Sequence, residues 1–232
     1  MPTSQRSGGL GSRHDLRALA CKEMVEDIRL VSTRDPEPGE LSLGRSFLQI
    51  GIDHRGERWV LKSVEDDAVG VVAYGLARLH FGGVVPLTGR VGPWVAQKYV
   101  TGKTPEQLGS SLYSLIRRNE GFIIDLGHMI SLDYVLGNGD RHGNNWLVVE
   151  GAGRVVAIDN EITAENMTLK RALRPAFRSG LVTDPDLTPL LISTIESDLR
   201  AFGDLENRHS LVKPALYDLQ RWRYDLKTWR SV

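Results

Sequence analysis

The sequence holds a single cysteine, Cys21. No disulfide can form within the chain, and a reducing compartment is the expectation. Charge of one sign is also missing: Lys+Arg 29 against Asp+Glu 29 gives a formal net charge of +0. A protein that coats nucleic acid needs a basic surplus, so no nucleic-acid partner is expected. No uninterrupted apolar run approaches the roughly 20 residues of a membrane helix, so no integral membrane association is expected. The opening MPTSQRSGGLGSRHD is polar and glycine-rich and has no apolar stretch of the secretory kind. The expected address is cytoplasmic. There is no internal repeat and no low-complexity tract beyond that opening.

What is present is the composition of a globular protein. Hydrophobic residues make up 41% and charged residues 25% of 232, enough for one large domain or two small lobes. Residues 1–14 read as a flexible tail. Asp15 to Val31 carries a helix-compatible pattern, ended by Asp35-Pro36-Glu37-Pro38-Gly39. The period then shortens. Phe47–Ile52 and Arg58–Lys62 are β-rich runs, and His54-Arg55-Gly56-Glu57 suits a hairpin turn between them. Ala68 to Phe81 returns to a helical stripe closed by Gly82-Gly83. Val84–Leu87 and Trp94–Val100 are strand candidates around Gly92-Pro93.

Beyond Val100 the pattern is mostly helical. Thr104-Pro105 reads as N-cap and first helical residue of a helix running to Arg118. A second helix spans about Glu120 to Leu136. Trp146–Val149 and Val155–Ile158, around Gly151-Ala152-Gly153, form a second hairpin. The fold class expected is α+β and bilobal: a small β-rich lobe over 15–101, and a mostly helical lobe with one hairpin over 102–232. The seam falls at Thr101-Gly102-Lys103.

The segment Gly137-Asn138-Gly139-Asp140-Arg141-His142-Gly143-Asn144-Asn145 carries the chemistry. Asp140 and Asn145 stand five apart in a polar loop between a helix and a strand. A hairpin returns its ends to one place, so Asp159 comes back near Asn145. One carboxylate and one amide oxygen of this kind suit a Mg²⁺ ion that also carries phosphates. Asp140 is then left to orient or accept a hydroxyl proton. The bland alternative is a polar turn in which Asp and Asn act as caps.

In order and spacing, LDYVLGNGDRHGNN followed by Ala157-Ile158-Asp159-Asn160 resembles the catalytic layout of the protein-kinase-like superfamily. The flavour resembles the HipA-like, the phosphatidylinositol 3-/4-kinase-like and the Golgi secretory-kinase groups, because Arg141-His142 follow the Asp instead of preceding it. That resemblance implies a bilobal kinase fold, ATP and Mg²⁺ (or Mn²⁺) as cofactors, and a hydroxyl acceptor. It makes Asp140 the catalytic carboxylate and Asn145 and Asp159 the metal ligands. His142 either braces the loop, the preferred reading, or touches phosphate.

The same resemblance assigns the nucleotide site upstream. Lys62, in WVLKS, stands where a kinase places its phosphate-binding lysine. Ser42, Gly44 and Ser46 could cover the phosphates, although the G-x-G-x-x-G spacing is missing. Gln97 and Tyr99 lie in the hinge segment, where backbone groups read adenine. Val60, Leu147 and Ile158 are candidate apolar walls, with core packing as the equal alternative. VVAYGLARL resembles the following helix of actinobacterial phosphatidylinositol-kinase-like proteins, yet Gly70 stands where they carry a Glu. Glu65, Asp66 or Asp67 could replace it.

The expected activity is transfer of the γ-phosphoryl group to a hydroxyl. A protein Ser or Thr ranks first and a small molecule or inositol compound second. A nucleotide-binding pseudokinase that serves as an interaction module is the non-enzymatic alternative. A metal hydrolase built on Asp140, His142 and Asp159 ranks last, for want of His ligands. Lys170, Arg171, Arg174 and Arg178 form a basic face, read first as solvated and second as a dock for an acidic protein or phosphorylated group. Trp222, Tyr224 and Trp229 read as anchors of the last helix.

Overall fold

The computed structural model describes residues 28–37, 48–160, 167–180, 184–205 and 209–229, with 63–69, 177, 209–210 and 222–229 described through their backbone alone. A five-stranded antiparallel sheet takes the order β1-β2-β3-β5-β4. Its strands are β1 (Leu30–Arg34), β2 (Gln49–Asp53), β3 (Arg58–Ser63), β4 (Thr88–Val91) and β5 (Trp94–Lys98). Helix α1 (Val64–His80) lies between β3 and β4. The remainder is helical apart from one hairpin, β6 (Trp146–Val149) with β7 (Arg154–Ala157). Its helices are α2 (Pro105–Leu108), α3 (Ser111–Arg117), α4 (Glu120–Leu136), α5 (Leu169–Ala172), α6 (Arg174–Arg178), α7 (Thr188–Gly203) and α8 (His209–Trp229). The fold is α+β with the two-lobed arrangement of a kinase.

The β2–β3 turn shows how local chemistry sets register. Asp53 Oδ1 accepts the amides of Arg55 (2.8 Å) and Glu57 (2.9 Å), and its Oδ2 accepts Trp59 Nε1 at 3.1 Å. Gly56 supplies the positive φ of 76° that the turn needs. With the turn held, Ile50 pairs Val60 and Gln49 pairs Leu61. The register continues into β5, where Lys62 stands opposite Val95. Beneath the sheet Trp59, Leu61 and Ala96 pack with Ile28.

Helix α1 buries Val72, Ala73, Tyr74, Leu76 and Ala77 in the main core. It stops at Gly82-Gly83, both at positive φ, where the Gly83 amide reaches back to Ala77 O at 2.8 Å. Helix α4 is the axis of the other lobe. Asn119 caps its start by accepting the Gly121 amide at 2.8 Å, and Gly137 ends it in the left-handed region at φ 78°. Nearly every side chain between Phe122 and Leu136 is buried. A helix apolar on all sides sits inside its domain, and α4 packs against α7, α1, α3 and β7.

Three boundaries differ from the sequence reading. Leu30 and Val31, expected at the end of a helix, begin edge strand β1, because pairing with β2 outweighs a weak helical pattern in LVSTR; residues 1–27, with the tail and Cys21, lie outside the described residues. Val84–Leu87 forms no strand. Val84 and Val85 are buried, and Val84 O accepts the Ala157 amide at 2.7 Å, tying this stretch to β7. The helix expected from Thr104 to Arg118 is two helices, broken at Gly109 with φ 51°. Thr104 does cap α2, in a reciprocal box with Gln107.

Candidate active site

The loop after α4 is built on a buried charge pair. Asp133 sits on the last turn of α4 and is fully buried. Arg141 meets it with two nitrogens, Nε to Oδ2 at 3.0 Å and Nη2 to Oδ1 at 2.8 Å. Burial pushes the Asp133 carboxyl above the usual range, against the pull of the Arg141 guanidinium and the Asn138 amide. The same guanidinium spans the whole site. Its Nη1 donates to the carbonyls of Asn145 and Ile158, the latter at 2.5 Å, and its Nη2 donates to Asn160 Oδ1 at 2.5 Å. One side chain therefore sets the distance between the end of the loop and the exit of the hairpin.

Asn138 does the same on the near side. Its Nδ2 donates to Asp133 Oδ1 at 2.9 Å, and its Oδ1 accepts the Asp140 amide at 3.1 Å. Asp140 is thereby held by its backbone while its side chain, 53% exposed, projects to solvent. Asn145 is buried. Its Nδ2 donates to Asp140 O at 3.0 Å, which leaves the amide oxygen for a ligand. Asn145 O accepts the Ile158 amide at 3.0 Å, so Asp159 follows one residue from a direct link to Asn145. His142 Nδ1 accepts the Asn144 amide at 3.2 Å, and its Nε2 lies 3.8 Å from Asp140 Oδ2. Nδ1 therefore braces the loop, and the other nitrogen faces Asp140.

Asp159 has φ 51°, a backbone conformation that an L-residue holds at a cost of about 1–2 kcal/mol. The turn brings its carboxylate to Lys62 Nζ, 2.5 Å away across the two lobes. Lys62 comes from β3, and Ala157 is fixed to Val84 beside α1. Lys62, Asp140, Asn145 and Asp159 thus belong to one connected site.

The seam is pinned to the hairpin. Lys103 N–H donates to Val148 O at 3.0 Å, and Lys103 O accepts the Val148 amide at 2.8 Å. A side chain at Gly102 would meet Val148 O and Leu147 Cβ at 2.9 and 3.1 Å, so Leu147 lies directly against the seam. Gln97 is buried, its Nε2 donating to Thr88 Oγ1 at 3.4 Å. The amides of Lys98 and Tyr99 are already donated, to Leu87 O and Arg58 O at 2.7 and 2.8 Å. Arg58 also lies over the Tyr99 ring at 4.1 Å. Among the described residues, the seam amides with no such bond are those of Val100, Thr101 and Gly102. Ser42, Gly44 and Ser46 lie outside the described residues, as do the side chains of Glu65, Asp66 and Asp67.

Sequence reasoning missed the two residues that organise the loop, Asp133 and Asn138. The available signal was a carboxylate inside an otherwise apolar helical turn, Leu132-Asp133-Tyr134-Val135-Leu136, which only a buried partner makes tolerable. It also missed Glu106 on α2, whose Oε2 accepts Asn144 Nδ2 at 2.7 Å and whose Cγ leaves no room for a side chain at Gly143.

A lysine from the sheet, an exposed aspartate on the loop and an Asn–Asp pair around a hairpin resemble the site of a kinase-like phosphotransferase. The family model described as phosphatidylinositol 3- and 4-kinase matches residues 101–178, about a third of the chain, from the seam through the loop and hairpin to the end of α6. The match supports a kinase of the phosphatidylinositol 3-/4-kinase-like kind within the protein-kinase-like superfamily, using a nucleotide and a hydroxyl acceptor. No curated protein matches the chain. Among the described residues, no helix is long and apolar enough to cross a membrane.

Proposed function

We propose that the protein transfers the γ-phosphoryl group of ATP to a hydroxyl, with a protein Ser or Thr as first choice of acceptor. The observation that carries the reading is the 2.5 Å meeting of Lys62 and Asp159 across the lobes, one residue from the Asn145–Ile158 link. The Asp159 carboxylate and Asn145 amide oxygen form a short, hard donor set. It fits Mg²⁺ or Mn²⁺, which these two oxygens would hold together with the phosphates of the nucleotide. Such an ion, when bound, supplies charge neutralisation on the phosphates. Lys62 binds the phosphate chain. Asp140 orients the acceptor and takes its proton as the new O–P bond forms and the bond from γ-phosphorus to the β–γ bridging oxygen breaks, releasing ADP. Positioning and charge supply most of the rate.

Two other readings each have an observation in their favour. The family match favours an inositol compound as acceptor. Gly70, in place of the helix Glu of the resembled actinobacterial proteins, favours a nucleotide-binding module without transfer. The likeness to HipA-like and Golgi secretory kinases favours the protein acceptor. The test runs ATP with lysate proteins, soluble metabolites and inositol lipids in parallel, on wild type, Asp140→Ala and Asp159→Asn. Transfer is expected to fall by about a thousandfold or more in both variants with an unchanged melting temperature. Normal turnover in both overturns the assignment, and nucleotide binding without transfer by wild type selects the module.

A further inference from the structure

Four cations not used by the proposed chemistry lie together beside it. Lys170, Arg171, Arg174 and Arg178 line one groove of about 510 Å³ with Thr168. Lys170, Arg174 and Arg178 are exposed, and no ion pair joins any of the four to a carboxylate among the described residues. Arg171 leads the groove to the loop. Its Nη2 reaches Gly139 O at 3.4 Å, and a Cβ on Gly139 would lie 2.3 Å from that nitrogen, so glycine is needed for the guanidinium to rest there. Its Nε is buried without a hydrogen-bond partner. Gly139 immediately precedes Asp140. The cations therefore begin next to the carboxylate that faces the acceptor and run away from it along α5 and α6.

We infer that this groove reads acidic side chains flanking the acceptor hydroxyl in a polypeptide. The inference rests on the kinase reading for the word acceptor and adds the substrate class. From Arg171 on α5 to Arg178 on α6 the track covers at most about 10 Å, taking 1.5 Å per residue. An extended peptide at about 3.3 Å per residue covers that distance with about three residues. The track is bounded: past Arg178 the next arginine, Arg117, already faces Asp184 and Asp186 at 3.7 and 3.6 Å. A short run of Asp or Glu beside a Ser or Thr matches this length and sign. A surface that docks on lipid places large apolar side chains next to its cations. The large exposed apolar residues among the described ones are Val31, Leu79, Leu205 and Tyr217, and none lines the groove.

The test uses the full chain and the double variant Arg174→Glu/Arg178→Glu, both positions being exposed and outside the proposed catalytic set. The binding probe is a short fluorescein-labelled peptide with one serine flanked by aspartates, read by anisotropy, beside a matched peptide with alanines. Wild type is expected to bind the acidic peptide about tenfold more tightly, to lose that preference in the double variant, and to lose it with rising salt. In transfer assays the same preference appears in KM, while turnover on the alanine peptide is the same in both proteins. Equal binding of the two peptides by wild type overturns the inference, as does an unchanged preference in the double variant. So does a charge-reversal effect seen with phosphatidylinositol-containing vesicles and not with peptides. Because anisotropy needs no turnover, acidic-peptide selectivity without transfer leaves the groove standing and fails the kinase reading instead.

Discussion

Two ion pairs meet at the exit of the hairpin and have opposite consequences. Asp133–Arg141 closes at 2.8 Å and Lys62–Asp159 at 2.5 Å, so distance does not separate them. Exposure does. The first pair is 0% and 3% exposed, and the guanidinium makes further bonds to two carbonyls and to Asn160. In the second the lysine is 13% exposed and the aspartate 45%. A buried pair cannot be dismantled without stranding a charge, whereas a half-solvated one can exchange its partner for water, phosphate or metal. The molecule fixes geometry with the buried pair and leaves the open pair for a ligand.

The sharpest way to break this comparison is to delete one arginine. Arg141→Ala leaves Asp133 buried with Asn138 as its remaining side-chain partner and takes one donor from each of the carbonyls of Asn145 and Ile158. The expected cost is about 3–5 kcal/mol of folding stability, read as a lowered urea midpoint. A loss under about 1 kcal/mol, the scale of an exposed pair, would mean that burial is not what separates the two pairs.

Lys62→Met tests the other side. Removing an open pair changes stability by at most about 1 kcal/mol, and the unpaired Asp159 can turn to solvent. Transfer is expected to fall by about a hundredfold or more, since the phosphates lose their cation. Unfolding curves and single-turnover assays on the same preparation check both halves. A variant that unfolds like Arg141→Ala would move Lys62–Asp159 into the structural class.

This difference explains what could be read from the chain alone. Helix α4 announces itself through Asn119 and Gly137 and a continuous apolar body, and it occupies the residues expected, Glu120–Leu136. The hairpins were visible for the same local reasons, β-rich runs around Gly56 and Gly153. The return of Asp159 to Asn145 follows from hairpin geometry, and the Trp146–Ala157 pairing delivers it. The buried network was not legible. Asp133 and Arg141 are eight apart, and nothing in their spacing says that one guanidinium will tie α4, the loop and the hairpin exit together. Gly109 was hidden for the opposite reason: flanking helical residues masked a single position whose positive φ divides α2 from α3. Long-range polar contacts and single backbone reversals are the two things that periodicity does not encode.

A third carboxylate sharpens the comparison at its mild end. Asp184 is nearly as buried as Asp133, yet its closest partner is neutral: the Tyr113 hydroxyl donates to its Oδ2 at 2.5 Å, and the amides of Asp186 and Leu187 donate to Oδ1 at 2.9 and 3.2 Å. Burial raises the Asp184 pKa, but these donors and Arg117 outweigh it and hold the carboxyl below its usual range. A depressed carboxylate stabilises the fold above its unfolded pKa, near 3.9, and loses that contribution as pH falls through the lower folded value. Tyr113→Phe removes one donor and moves the folded pKa back toward the unfolded one. Wild type should therefore exceed the variant by about 1 kcal/mol at neutral pH, and the gap should close as the pH drops below about 4. Urea titrations of both proteins across the acid range measure it. A gap that persists undiminished at the acid end would show that the hydroxyl acts through packing and that Asp184 needs no charge to hold the start of α7.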